Sequence, residues 1–177
     1  MVINQTIAQI IVAFLFRSAM SNVADVSGCP WIKNEYNRYY DQALKLLKEM
    51  AGNNAEDLKS PVVFPGNLYE RAANKSAFSR LSFEVQVLRE VANLFDNDHA
   101  SSVLDRTTLD HFLNIIHQQK DGLQTCMNNK KPRWSNKLAN YFKRLSMEVR
   151  DQKEAWEMII REAKMHIFQA GLLTPTK

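Results

Sequence analysis

The 177-residue sequence has only two cysteines, five glycines and five prolines. So few turn-forming residues count against an all-β fold with many turns, and plentiful leucine, isoleucine and phenylalanine count against disorder. A chain of this length can bury one continuous hydrophobic core without help from a metal ion. The sequence therefore predicts one folded domain.

Motifs that would indicate catalysis or metal binding are also missing. The sequence contains no HExxH, no paired Glu-xx-His, no CxxC, no GxSxG and no phosphate-binding loop. His111 and His117 are six positions apart on one predicted helix, which places them on opposite sides and prevents joint chelation. Aspartate and glutamate fall mostly on predicted polar faces, where a solvated surface role is favoured. We predict no enzyme, no metal site and no cofactor.

The N-terminus lacks the lysine or arginine that usually precedes the apolar core of a signal peptide. It nevertheless has an apolar run from Ile7 to Phe16, which has the length of such a core and is too short to span a bilayer. Small residues follow this run. We interpret residues 1–28 as a signal peptide cleaved between residues 21 and 28, which leaves residues 29–177 as the domain. The alternative is a cytosolic protein whose N-terminus forms an apolar helix.

Whether the two cysteines form a disulfide depends on whether the chain is secreted or cytosolic. In a reducing cytosol Cys29 and Cys126 would be separate buried thiols, whereas a secreted chain would join them in one disulfide. Cys29 precedes the first predicted helix and Cys126 ends the third. A bridge between them would close a loop of about a hundred residues and stabilise the fold by about 4–5 kcal/mol in the chain-entropy model.

What the chain does have is helical periodicity. Between Phe78 and Phe95, two adjacent apolar stripes cover well over half of one helix, so other helices must surround it. Four more amphipathic segments occur in the sequence. The five predicted helices cover approximately residues 34–51, 76–95, 105–127, 135–149 and 155–170.

The segment from Asn53 to Lys75 has no sustained period and forms a long connection between the first two helices. Its apolar residues predict that it packs on the bundle. A connection of this length allows neighbouring helices to run parallel. We therefore predict an all-α, five-helix cytokine-type bundle, up-up-down-down with a long first crossover loop. The triplet that begins at Asn74 is a candidate N-glycosylation site.

The charge is mildly positive, +4, and cations alternate with acids over most of the chain. Basic residues gather between Lys130 and Lys164, with Trp134 and Tyr141 among them, a combination that a nucleic-acid reader would also show. Both aromatic residues fall on an apolar stripe, so a solvated cationic face that steers an acidic partner is favoured. A membrane-active helix is a weaker alternative, because acidic residues interrupt the cationic face that it requires.

Several stretches of the chain resemble the type I interferons. Ala155-Trp156-Glu157, followed by an amphipathic terminal helix, resembles the last helix of that family. The stretches similar to the fish members are Cys29 with Trp31, Leu46-Leu47-Lys48-Glu49-Met50, Phe64-Pro65-Gly66 with Leu68-Tyr69, and Asp110-His111-Phe112-Leu113 leading to Cys126. The resemblance covers residues 29–177. The cysteine pair is similar to that of the two-cysteine group, whose bridge joins the N-terminus to the end of the third helix.

The resemblance implies a secreted antiviral cytokine that bridges two different class II cytokine receptor chains. Such a protein triggers JAK–STAT signalling and interferon-stimulated gene expression, without binding nucleic acid and without membrane insertion of the mature chain. In the family, the first helix, the first loop and the last helix bind one receptor chain, and the second to fourth helices bind the other. By position, the first face would include Lys59, Asn67, Arg161, Lys164 and Met165. The second would include His111, Asn114 and Gln118.

The chain also departs from the family pattern. Ile160 and Met165 stand where mammalian members carry basic residues, so charge-based receptor pairing cannot be carried over at those positions. The alternative function is a cationic helical host-defence protein that acts directly on microbial membranes.

Overall fold

The computed structural model describes residues 26–51, 60, 62–128, 130–133, 135–147 and 153–175. The first 25 residues, and with them most of the predicted signal peptide, lie outside the described residues, so the cleavage site stays a prediction. A 3₁₀ turn at Val26–Gly28 precedes the helices. These are α1 (Pro30–Asn34), α2 (Tyr36–Met50), α3 (Gly66–Ala73), α4 (Ala77–Phe95), α5 (Asp98–Val103), α6 (Arg106–Cys126), α7 (Asn136–Met147) and α8 (Lys153–Gly171).

The five long helices α2, α4, α6, α7 and α8 correspond to the five predicted from periodicity. Local capping fixes where two of them begin. The hydroxyl of Ser76 accepts a hydrogen bond from the backbone N–H of Ser79 at the start of α4. Asp105 accepts from both the backbone N–H and the hydroxyl of Thr108 at the start of α6, at 2.8 and 2.7 Å. These two hydrogen bonds lower the pKa of the exposed Asp105 carboxyl.

Three short helices were not predicted, and one of them, α1, precedes α2 by a single residue. Of the other two, the first, α3, lies in the connection that the sequence indicated only as a loop with local turns. Its buried residues are Leu68, Tyr69 and Ala72, a pattern too short to stand out as a period. The second, α5, follows α4 after a two-residue break, with the Asn97 side chain accepting from the Ala100 N–H at 3.0 Å. The described part of the connection before α4, in which Val62, Leu68 and Tyr69 are buried, packs on the bundle as expected.

The directions in which the helices run follow from which helix ends lie together. Met50, the last residue of α2, lines a small cleft together with Thr108 near the start of α6 and Trp156 near the start of α8. At the end of α4, the Phe95 ring lies 5.7 Å from the Trp156 ring. The ends of α2 and α4 therefore meet the starts of α6 and α8. This is the predicted up-up-down-down arrangement, and the predicted all-α bundle is confirmed.

Helix α4 is the central helix of the bundle. It packs against α3, α6, α7 and α8, and residues 81–88 are all buried. Burial of eight consecutive residues confirms the expectation that helices surround α4. Three of the eight are polar, namely Ser82, Glu84 and Gln86, and each has a hydrogen-bond partner.

The N-terminal segment is attached to α6 in two ways. Cys29 and Cys126 form the predicted disulfide, with their Cα atoms 5.4 Å apart and 97 positions between them in the sequence. One turn earlier in α6, Gly122 lies directly against the Trp31 indole, because a Cβ built on Gly122 would be 1.9 Å from a ring carbon. The Trp31 ring also stacks on Tyr39 of α2 at 5.8 Å. The glycine thus creates the space in which the indole joins α1, α2 and α6.

Candidate functional site

A groove of about 450 Å³ lies between the short helix α3 and the end of α8. Phe64, Tyr69 and Glu70 line the side that belongs to the first long connection, and Met165 and Leu172 line the α8 side. The groove therefore joins two segments that lie about a hundred residues apart in the chain. Sequence reasoning assigned both segments to one receptor-binding face, and the structure brings them together.

A buried histidine forms the support of this groove. His166 of α8 is 0% exposed, and its Nδ1 atom lies 2.5 Å from the Tyr69 hydroxyl of α3. Its imidazole ring also lies 4.7 Å from the Phe64 ring and 4.6 Å from the Phe142 ring. Burial lowers the pKa of His166 to about 3 and raises that of Tyr69 well above its usual value, so both groups are neutral near pH 7. The side-chain pair holds α3 against α8.

Exposed apolar residues line the groove or lie close to its lining residues in the chain. Among the described residues, five large apolar side chains are exposed, and Met165, Phe168 and Leu172 are three of them. A fourth, Val63, is 87% exposed and directly precedes Phe64 at the groove. Phe168 and Leu172 are missing from the residues that the sequence assigned to this face. They follow Lys164 at successive spacings of four, outside the buried stripe of α8, and this spacing is the signal that could have indicated them.

The other residues predicted for the first face differ in exposure. Asn67 of α3 and Lys164 of α8 are exposed, and Met165 is 37% exposed at the edge of the groove. Lys59 lies outside the described residues. The Arg161 side chain is only 25% exposed, lies 3.8 Å from Glu162, and has a buried Nε atom without a hydrogen-bond partner in the described structure. Arg161 was expected on a freely solvated polar face, and in this respect the expectation was wrong.

The three residues predicted for the second face lie together on α6. His111, Asn114 and Gln118 are all exposed, and the Gln118 amide donates to the Asn114 side chain at 2.9 Å. The Gln118 side-chain oxygen in turn accepts from the Tyr39 hydroxyl at 2.6 Å. This polar surface is therefore continuous with α2. None of the three residues lines the groove between α3 and α8.

Two acidic residues depart from the expectation that acids are solvated. Glu84 is 1% exposed and accepts hydrogen bonds from the Tyr36 hydroxyl, at 2.6 Å, and from the Thr174 hydroxyl. Burial raises the Glu84 pKa to about 7, although both hydrogen bonds act in the opposite direction. Glu162 is 3% exposed and accepts from the Tyr141 hydroxyl at 2.9 Å. Their hydroxyl partners link separate elements of the fold, which gives both carboxyl groups a structural explanation.

The described residues contain no group of three or more histidine, cysteine, aspartate or glutamate side chains that could hold a metal ion. In the same part of the chain, no helix is sufficiently long and apolar to cross a membrane. Asn74, at the end of α3, is exposed, and its amide donates to the Glu70 carbonyl at 3.0 Å. Its glycosylation stays a prediction.

An up-up-down-down bundle with a long first crossover defines the class of helical cytokines. Comparison with known proteins specifies the family. The interferon alpha/beta domain model matches residues 32–176. Interferon a3 of rainbow trout is 30% identical over 165 residues, which is 90% of this chain and 91% of the trout protein. The solved structure of zebrafish interferon 1 is similar to this fold, with a TM-score of 0.69 and 25% identity over 82% of this chain and 97% of that one.

This chain belongs to the interferon alpha/beta family. The resemblance found in its short motifs is thereby confirmed over almost the whole domain. The family consists of secreted cytokines and not of enzymes, so the chain is an interferon-type cytokine.

Proposed function

We propose that this chain is a secreted antiviral cytokine that bridges two different class II cytokine receptor chains and thereby triggers JAK–STAT signalling and interferon-stimulated gene expression. Family membership supports the receptor-binding role. The observation that carries the two-receptor model is the separation of two exposed surfaces, the groove between α3 and α8 and the polar face of α6. The comparisons do not favour the alternative of a membrane-disrupting host-defence protein.

The groove supplies the affinity for one receptor chain. Phe168 is 47% exposed and Leu172 is 65% exposed, so a partner that covers them removes apolar area from water. Binding energy at such interfaces is concentrated in a few residues with large side chains. The neutral Tyr69–His166 pair beneath the groove keeps α3 and α8 in place, so the protein loses little conformational entropy when the partner binds.

The α6 face supplies a separate contact for the second receptor chain. Once the first chain is bound, the second encounter takes place between partners on one membrane, which raises the effective concentration of the second chain. A bridging cytokine can therefore signal with a weak second contact. No chemical step is required of the cytokine, because the signal arises from bringing the two receptor chains together.

Paired variants test this assignment. We expect Phe168→Ala combined with Leu172→Ala to lower the affinity for one purified receptor ectodomain by about tenfold or more, and to leave the other unchanged. His111→Glu on α6 should give the opposite pattern, measured by surface plasmon resonance. Both variants should weaken a reporter for interferon-stimulated genes.

Met147→Ala is the matched control, because Met147 is also an exposed apolar residue, 62% exposed, but lies on α7 outside the groove. It should leave the affinity for the receptor chain that binds the groove unchanged. Loss of binding to the same receptor chain in the groove variant and the α6 variant would contradict the two-surface model. Full signalling by both variants would contradict the receptor assignment itself.

A further inference from the structure

A second pocket, of about 370 Å³, lies on the other side of α3. Four cationic side chains line it: Arg71 of α3, Lys75 in the turn after α3, Arg133 before α7, and Lys137 in the first turn of α7. We call these four residues and the space between them the basic pocket. No acidic residue lines the pocket, and none of the four cations forms a salt bridge within the described part of the chain.

The absence of acids here contrasts with the rest of the chain, where cations and acids alternate. Like charges around one pocket repel one another, and this repulsion is relieved when an anion lies between them. The hydroxyls of Ser79 and Ser135 also line the pocket and add neutral hydrogen-bonding groups to the charged ones. The arrangement is therefore suited to a ligand that has several negative groups and neutral polar groups between them.

A buried side chain of α4 anchors the chain between Arg133 and Lys137. Gln86 is 2% exposed and forms two hydrogen bonds with the backbone of Ser135. Its side-chain oxygen accepts from the Ser135 N–H at 2.7 Å, and its amide donates to the Ser135 carbonyl at 2.9 Å. Ser135 is two positions from both Arg133 and Lys137, so this pair of bonds anchors the chain at a point close to both cations. A preorganised site loses less entropy when it binds a ligand.

The floor of the pocket is unsuited to binding single-stranded nucleic acids. Its aromatic residue, Phe83, is only 9% exposed, so it cannot provide the open stacking surface on which single-stranded nucleic acids bind. Leu68 and Ala72 supply the remaining apolar surface, against which the carbon face of a sugar ring can lie. Sulfate groups on such a ring would meet Arg71, Lys75, Arg133 and Lys137 in charge-assisted hydrogen bonds.

We propose that the basic pocket binds a sulfated glycan chain of the kind present on cell surfaces, separately from the receptor-binding groove. The choice of this ligand depends on the proposed extracellular location, whereas the binding itself can be measured without it. The pocket would retain the cytokine near the cell surface through contacts that salt weakens. A glycan attached at Asn74 would lie next to Lys75 and would restrict access to the pocket.

The test uses the full chain and an immobilised heparin-derived oligosaccharide in about 0.15 M salt. Arg133→Glu combined with Lys137→Glu should lower the affinity by about tenfold or more, because two charge-assisted contacts are replaced by repulsive ones. Lys143→Glu combined with Arg144→Glu is the matched control. It changes the net charge equally, but both of its residues are exposed on α7 outside the pocket. The control should lose less than threefold, and circular dichroism should show that both variants remain folded.

Equal losses in the two variants would overturn the proposal, since they would indicate non-specific attraction by net charge. Unchanged binding of the pocket variant would also overturn it. Tighter binding of single-stranded DNA or of anionic phospholipid vesicles than of the oligosaccharide would refute the ligand assignment. The pocket variant should still bind the receptor chain that contacts the groove, so failure of the glycan proposal and failure of the receptor proposal give different results.

Discussion

The buried pair of titratable groups, Glu84 and His166, predicts an unusual dependence of stability on pH. Burial raises the Glu84 pKa from 4.5 to about 7 and lowers the His166 pKa from 6.5 to about 3. A group with a raised folded-state pKa contributes stability that is fully present below its unfolded pKa and is lost as pH rises through the folded value. A group with a lowered pKa contributes stability that is present above its unfolded pKa and is lost as pH falls towards the folded value.

The two contributions oppose each other between pH 4.5 and 6.5, because in this interval each group binds a different number of protons in the folded and the unfolded state. Each contributes a slope of about 1.4 kcal/mol per pH unit, of opposite sign, so their sum is nearly flat. In a variant that lacks one of the two groups, the free energy of unfolding therefore follows the pH dependence of the other group. We expect Glu84→Gln to lose about 3 kcal/mol of stability when the pH falls through this interval, relative to the parent protein. His166→Phe should instead gain about 3 kcal/mol over the same interval.

Urea unfolding followed by circular dichroism, repeated at several pH values, measures these changes as free energies of unfolding. Other titrating groups, such as Asp105, are common to all variants and cancel in the difference. Ser82→Ala is the control, because it alters a buried polar side chain of α4 but removes no titratable group. Its curve should run parallel to that of the parent. Parallel curves for Glu84→Gln and the parent would refute the reasoning, because Glu84 would then bind protons equally in the folded and unfolded states.

Three further predictions concern the N-terminal segment. Gly122→Ala should destabilise the protein by about 1–3 kcal/mol in urea unfolding, because the added methyl group displaces the Trp31 indole. At an exposed helix position the same change would stabilise by up to about 1 kcal/mol, so a higher melting temperature would contradict the contact. Replacing Cys29 and Cys126 together by serine should lower the free energy of unfolding by about 4–5 kcal/mol, and a loss below about 1 kcal/mol would show that the bridge does not constrain the unfolded chain. Val26 is 1% exposed in the core, so we expect mass spectrometry of the secreted protein to find a mature N-terminus at or before Val26, with cleavage in the early part of the predicted interval. A mature chain that begins at Cys29 would contradict this.

Local sequence features predicted most of the fold. The two apolar stripes of α4 indicated a helix surrounded by others, and burial of residues 81–88 agrees with this. Ser76 and Asp105 cap the helices that follow them. Such features can be found in the sequence because a helix repeats its contacts every three or four residues, so the pattern lies within one segment.

The candidate site was predicted only in part, because its residues meet through tertiary contacts. Met165, assigned by position to the first receptor face, lines the groove, and Lys164 is exposed, whereas Phe168 and Leu172 were not named from the sequence. The polar face of α6 was correctly placed outside the apolar stripe. Its link to α2, through the bond between Tyr39 and Gln118, has no counterpart in either local pattern.

The sequence by itself determined the helical class and the positions of the long helices, since these depend on residues close in the chain. It also left Cys29–Cys126 as the one disulfide that a secreted chain could form within itself. The tertiary structure decided which polar groups are buried. Glu84 is enclosed because Tyr36 and Thr174, 48 and 90 positions away, supply its hydrogen bonds. Tertiary structure also formed α3, which is too short to be stable alone and is stabilised by packing and by the contact between Tyr69 and His166. Burial and long-range hydrogen bonds depend on the whole fold, which is why no local pattern could indicate them.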